Sequence, residues 1–170
     1  MHEIAKSAGV TKPVIYQHFS SKRALYIDLV EIVGDELCRR IRATAQGHSS
    51  AQERVIHGFL AFFTFAHNNR AGYDLLFANP QKRDADFRVT LEKIEDEVSE
   101  LITSQLNAKI PVQERKFMAM GIIALAEGSV HRWLLEVDEL DQQDTGFENT
   151  SGPKWALRVA GLAWNGLRGI

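Results

Sequence analysis

The sequence predicts an all-α fold, a short N-terminal helix-turn-helix head joined to a C-terminal helical bundle, on three observations. Only four prolines interrupt 170 residues, which leaves long stretches able to coil unbroken. Apolar residues in those stretches recur every three or four positions, and none shows a sustained two-residue alternation. The breaks between them hold residues that start and stop helices, among them Gly9, Ser50 with Glu53, Pro111 and Pro153. With 45% hydrophobic and 25% charged residues the chain can bury a substantial core, which excludes a disordered class.

In chain order, residues 1–8 read as a helix ending at Gly9, which accepts the left-handed conformation of a helix cap. Thr11 can cap a second short helix to about His18, with Pro13 tolerated in its first turn. Ser20 or Ser21 caps a long helix from Lys22 to about Ala45, in which Leu25, Leu29, Ile32, Val33, Leu37 and Ile41 keep helical spacing. Gly47, His48 and Ser49 break it. Ser50 and Glu53 form a capping box ahead of a helix over 51–68. That helix is apolar on two faces, Val55, Phe59, Phe62 and Ala66 against Ile56, Leu60 and Phe63, as suits the middle of a bundle. A shorter helix over about 70–78 stops at Pro80. The next, about 84–107, places Phe87, Leu91, Ile94, Val98 and Leu101 in one stripe. Pro111 suits the first position of a helix reaching about Val137. Residues 138–152 hold five carboxylates (Asp138, Glu139, Asp141, Asp144 and Glu148) with no Lys or Arg, which predicts an exposed loop. Pro153 then starts a last helix to about Arg168. The expected domains are residues 1–46, the head with its connecting helix, and residues 47–170, the body.

Charge and composition narrow the function classes. The net charge is −2, yet residues 1–26 carry Lys6, Lys12, Lys22 and Arg23 against Glu3 alone. A basic head on an acidic body is what a protein that faces phosphate requires. A single cysteine, Cys38, excludes an internal disulfide framework and suits a reducing cytoplasm, where it reads as a small helix residue. No charged-then-apolar leader and no run long enough to span a bilayer occur, so a soluble cytoplasmic protein is expected, away from membranes. Enzyme classes lose their usual signs: there is no Gly-rich phosphate loop, no His-Glu-x-x-His and no Cys pair. The six histidines lack ligand spacing, so no metal or cofactor is expected.

The densest signal is residues 4–25, IAKSAGVTKPVIYQHFSSKRAL. Ala5 and Ala8 are small where two helices must cross, and Gly9 permits the positive φ of a tight corner. Val10, Ile15 and Phe19 are apolar where the second helix packs back. Lys12, Pro13, Val14, Tyr16, Gln17 and His18 remain to face outward, a set suited to base edges, thymine methyls and phosphates. The segment resembles the signature of the TetR (tetracycline-repressor) family through Ile4-Ala5, Ala8-Gly9-Val10, Tyr16, His18-Phe19, Ser21-Lys22 and Leu25. The resemblance implies a DNA-binding helix in which Lys12, Pro13 and Val14 lie deepest in the groove, Gln17 contacts either base or backbone, and Thr11 also belongs to the DNA-binding set. It also implies that Tyr16 and His18 bond phosphates and that Lys22 clamps one at the start of the third helix. The family has a further helix before this motif, so the natural protein is expected to extend beyond Met1.

For the body, the resemblance implies a four-helix dimer bundle from the last two helices and a small-molecule cavity. Gly121, Ala124 and Gly128 form one small-residue stripe and Ala156, Ala160 and Ala163 another, with Trp155 and Trp164 nearby. Such stripes suit a dimer seam, and intrachain packing too. Phe59, Phe62, Phe63, His67, Tyr73, Phe77, His131 and Trp133 are the candidate lining, which points to an apolar or aromatic effector. The implied function is a transcriptional repressor, a homodimer on double-stranded palindromic operator DNA with heads about 34 Å apart, released by that effector. A helical ligand-binding or adaptor protein without DNA binding is the alternative.

Overall fold

The computed structural model describes residues 1–78, 85–106, 108–141 and 152–167. Among them the chain forms α1 (His2–Ser7), α2 (Lys12–His18), α3 (Lys22–Gln46), α4 (Ala51–Asn68), α5 (Arg70–Phe77), α6 (Ala85–Gln105), α7 (Val112–Asp141) and α8 (Gly152–Leu167). No strand occurs among the described residues. Among the described residues, three helix starts are secured by side chains. Ser21 Oγ accepts the Ala24 N–H at 3.0 Å, Asn69 Oδ1 accepts the Gly72 N–H at 3.0 Å, and Ser50 with Glu53 closes a reciprocal capping box. Thr11 occupies the cap position of α2 in extended backbone, but its hydroxyl makes no capping bond.

Two hydrophobic clusters organise the chain. A small one joins Ala5, Ile15 and Leu25, with Met1 and Phe19 against it. The large one lies in the body, where α4 is the central helix, packed on α3, α5, α7 and α8. Helix α3 serves both: Leu25 belongs to the head, whereas Val30, Leu37 and Cys38 belong to the body. The division in packing therefore falls inside α3, ahead of the expected domain boundary at its end.

Several expectations need correction. Leu29 and Ile32 are exposed, because the buried stripe of α3 runs through Val30, Gly34, Leu37 and Cys38 instead. Ala8 and Val10 also stay outside the head cluster. Helix α7 starts one residue after Pro111, whose carbonyl accepts the Arg115 N–H. At its other end α7 continues through Asp141 where a loop was expected. Val137 is buried there, and the exposed Asp138 pairs with Arg70 of α5 at 2.9 Å. Asp144 and Glu148, also assigned to that loop, lie outside the described residues.

Candidate functional site

The head is built on one corner. Gly9 holds φ at +67°, its N–H donates to Lys6 O at 3.2 Å, and the Val10 N–H donates to Ala5 O at 3.0 Å. This paired closure of a helix end uses a left-handed residue that only glycine adopts without strain. The chain then turns into α2, whose one buried residue is Ile15. Thr11, Lys12, Pro13, Val14, Tyr16, Gln17 and His18 all face solvent, as does Lys22 at the start of α3. Lys12 Nζ lies 5.8 Å from the Tyr16 ring centroid, a cation over an aromatic face on the exposed side of α2. The set expected to face outward is thus solvent-accessible, with hydroxyl, ammonium, amide, imidazole and methyl groups among its members.

Beside this surface lies a pair that sequence reasoning missed. Arg23 Nη1 meets Asp86 Oδ2 at 2.7 Å, joining the start of α3 to the first turn of α6. Three residues on in α3 and one on in α6, the Tyr26 and Phe87 rings sit 5.7 Å apart. Neither contact has a local sequence signal, since the partners are some sixty positions apart.

The body holds a cavity of about 140 Å³. Its wall includes Leu37 and Ile41 of α3, Val55, Phe59 and Phe62 of α4, Phe77 of α5, Ile94, Val98 and Leu101 of α6, and Ile122 and Ala126 of α7. Of the expected lining, Phe59, Phe62 and Phe77 are present. Phe63 and Trp133 are core residues instead, their rings tilted against each other at 5.4 Å, with Trp133 also covering Gly152 at the start of α8. His67 is exposed against the far side of Trp133, and Tyr73 is buried behind Phe62 and Phe77, its hydroxyl turned to Glu127 O. His131 faces solvent. The residues missed, chiefly the α6 stripe, had been read only as a core face; a wall of a cavity has the same periodicity. Trp164, expected at a dimer seam, also lines the cavity. Polar groups at the wall are few. Arg54 is the notable one: its Nη1 donates to the His48 and Ser49 carbonyls, and its Nε is buried without a partner among the described residues.

The two small-residue stripes part company. Ala156, Ala160 and Ala163 are buried against the chain's own body, where their small size lets α8 lie close on α4, and Trp155 is half-buried beside them. They are thus unavailable to a seam. Gly121, Ala124 and Gly128 of α7 are exposed, with open space where a Cβ of either glycine would stand.

A helical body beneath a small head with one solvent-facing helix defines the helix-turn-helix class. Residues 1–29 match the model of "Bacterial regulatory proteins, tetR family". The HTH-type transcriptional activator FasR of Mycolicibacterium smegmatis is 31% identical over 159 residues, 91% of this chain and 71% of that protein. The nucleoid occlusion factor SlmA of Vibrio vulnificus is 26% identical, covering 93% of this chain and 82% of its own. Among solved structures, a TetR-like transcriptional regulator from Rhodococcus sp. RHA1 superposes with a TM-score of 0.72 at 20% identity, over 98% of this chain and 83% of that one. A TetR/AcrR-family regulator from Thermobifida fusca gives 0.59 at 20%, over 97% and 85%. This chain belongs to the tetR family of bacterial regulatory proteins.

Proposed function

We propose that this chain is a DNA-binding transcriptional regulator that sets α2 into the major groove of a palindromic operator as a homodimer. A small apolar or aromatic molecule in the body cavity releases it. The observation that carries this reading is α2 itself. Every residue of that helix but Ile15 is solvent-facing, on a head with its own small core, and exposed Lys22 follows it at the start of α3. In this reading Lys12, Pro13, Val14 and Gln17 approach base edges. Tyr16, His18 and Lys22 meet phosphates, with Thr11 beside them at the start of α2, and Lys22 is aided by the positive end of the α3 dipole.

The second copy belongs on α7. Phe117, Gly121, Ala124, Gly128, His131 and Leu135 are all exposed and alternate in steps of four and three, the spacing of a left-handed helical seam. Phe117 is 79% exposed, and Leu157 and Leu162 of α8 are exposed apolar residues as well. The glycines allow close approach. A cavity of this size suits a ring or a short chain, with Arg54 Nε as the donor for a polar end.

Release follows from shared walls. Leu37 and Ile41 line the cavity, and α3 continues without a break to Lys22, so an occupant that tilts α3 displaces both heads. The shift is limited by the occupant's preference for one conformer, and a coupling of about 1–3 kcal/mol is ordinary. Repression is the sign implied by the family resemblance; activation, as in the name of the mycobacterial relative, is its alternative. Deleting the gene and measuring the neighbouring transcripts separates them.

The direct test is titration of a labelled mixed-sequence duplex at increasing salt. Log affinity should fall linearly with log salt, and Lys22→Ala should reduce the slope by about one while weakening all sequences alike. Changes at Lys12 or Val14 should instead relax preference at single positions. An absence of salt-dependent retention of any duplex would end this reading.

A further inference from the structure

We propose that Asp86, on the body helix α6, is a positioning residue for DNA binding: it holds the Arg23 guanidinium at the entry of α3 and withholds that charge from DNA phosphate. This rests on the reading of α2 and Lys22 as the DNA-facing surface. Lys22 and Arg23 are the first two residues of α3, and the first turn of that helix contains no acidic residue. A helix N-terminus carries the positive end of the backbone dipole, so two cations there call for an anion from outside the helix. The body supplies one. Asp86 stands in the first turn of α6, where a carboxylate is favoured, and its Oδ2 lies 2.7 Å from Arg23 Nη1. Phe87, buried, sets its ring 5.7 Å from that of Tyr26 and so fixes the start of α6 against α3.

Both members of the pair are more than half exposed, at 53% and 61%, so the ion pair is weak and exchangeable. A phosphate drawn to the α3 terminus by Lys22 therefore competes with Asp86 for Arg23. The Asp86 carboxylate, well within one Debye length, also repels that phosphate. Helix α6 contributes Ile94, Val98 and Leu101 to the cavity wall as well. Its displacement alters how closely Asp86 reaches the head, which makes the charge offered to DNA depend on the state of the body.

The experiment is fluorescence anisotropy of the full chain with a mixed-sequence duplex of about 30 base pairs, from roughly 50 to 200 mM salt. Wild type, Asp86→Asn, Asp86→Glu, Arg23→Gln and the double variant Asp86→Asn/Arg23→Gln are compared. Asp86→Asn should bind about three- to tenfold more tightly at the middle of that range, with a salt slope steeper by about one as Arg23 gains a phosphate. Asp86→Glu should restore wild-type behaviour. In the Arg23→Gln background the slope should not change when Asp86 is replaced. A well-folded Asp86→Asn protein with unchanged affinity and slope overturns the proposal, as does an equal steepening in both backgrounds. If Lys22→Ala flattens the slope while Asp86→Asn is silent, only this inference fails. If no variant binds duplex at all, the DNA-binding reading fails and takes it along.

Discussion

Gly9 shows how much one residue decides. Its φ of +67° turns the chain between α1 and α2, and no atom lies within 4 Å of where a Cβ would stand. The penalty for Gly9→Ala is therefore backbone strain alone, about 1 kcal/mol, measurable as a lower denaturation midpoint. An unchanged midpoint would show that the corner tolerates any residue. Cys38 and Tyr73 make a second residue-scale prediction. Burial, with Glu97 beside it, pushes the Cys38 thiol from 9.0 up to about 12, and burial with Glu127 does the same for Tyr73 from 10.0. Both groups hold their protons more tightly folded than unfolded. Their contribution is complete below pH 9 and is lost as pH rises from 9 towards 12, so the melting temperature should decline above pH 9. The native thiol should resist alkylation at pH 8. Rapid alkylation of the folded protein would contradict its burial.

Between elements, α3 and α6 pack tightly at one glycine. A Cβ on Gly34 would stand 2.2 Å from Ile94 Cδ1, so the two helices meet where glycine leaves room for a cavity-lining side chain. Gly34→Ala should destabilise by about 1–3 kcal/mol, since the gain in helix propensity does not offset the overlap. Ile94→Ala alone should also destabilise. Together the two should cost clearly less than their sum, because the smaller partner vacates the space the new methyl needs. Additive costs in thermal or chemical unfolding would place the two side chains out of contact. The same reasoning explains why α8 was misjudged. Ala156, Ala160 and Ala163 allow a close helix crossing, and a stripe of alanines reads identically whether the partner is α4 or another chain.

For the molecule as a whole, two cores share one continuous helix, and the exposed stripe of α7 sets the expected assembly. Ala124→Glu puts a charge in the middle of that stripe and should convert a dimer to a monomer in sedimentation, with little change in helix content. Operator affinity should fall in parallel, since a single head contacts one half-site. A variant that remains dimeric would move the seam elsewhere.

What the residues by themselves determined is what local chemistry governs. The order of helices, the capping box at Ser50, a serine cap before Lys22, the Gly9 corner and the outward set on α2 all follow from neighbours within four or five positions. The tertiary structure alone decided which apolar stripes meet each other. It put Trp133 in the core and Trp164 at a cavity, paired Asp138 of α7 with Arg70, and brought Asp86 to Arg23. Those outcomes depend on partners distant in sequence, and helical periodicity marks a face as apolar without naming what covers it.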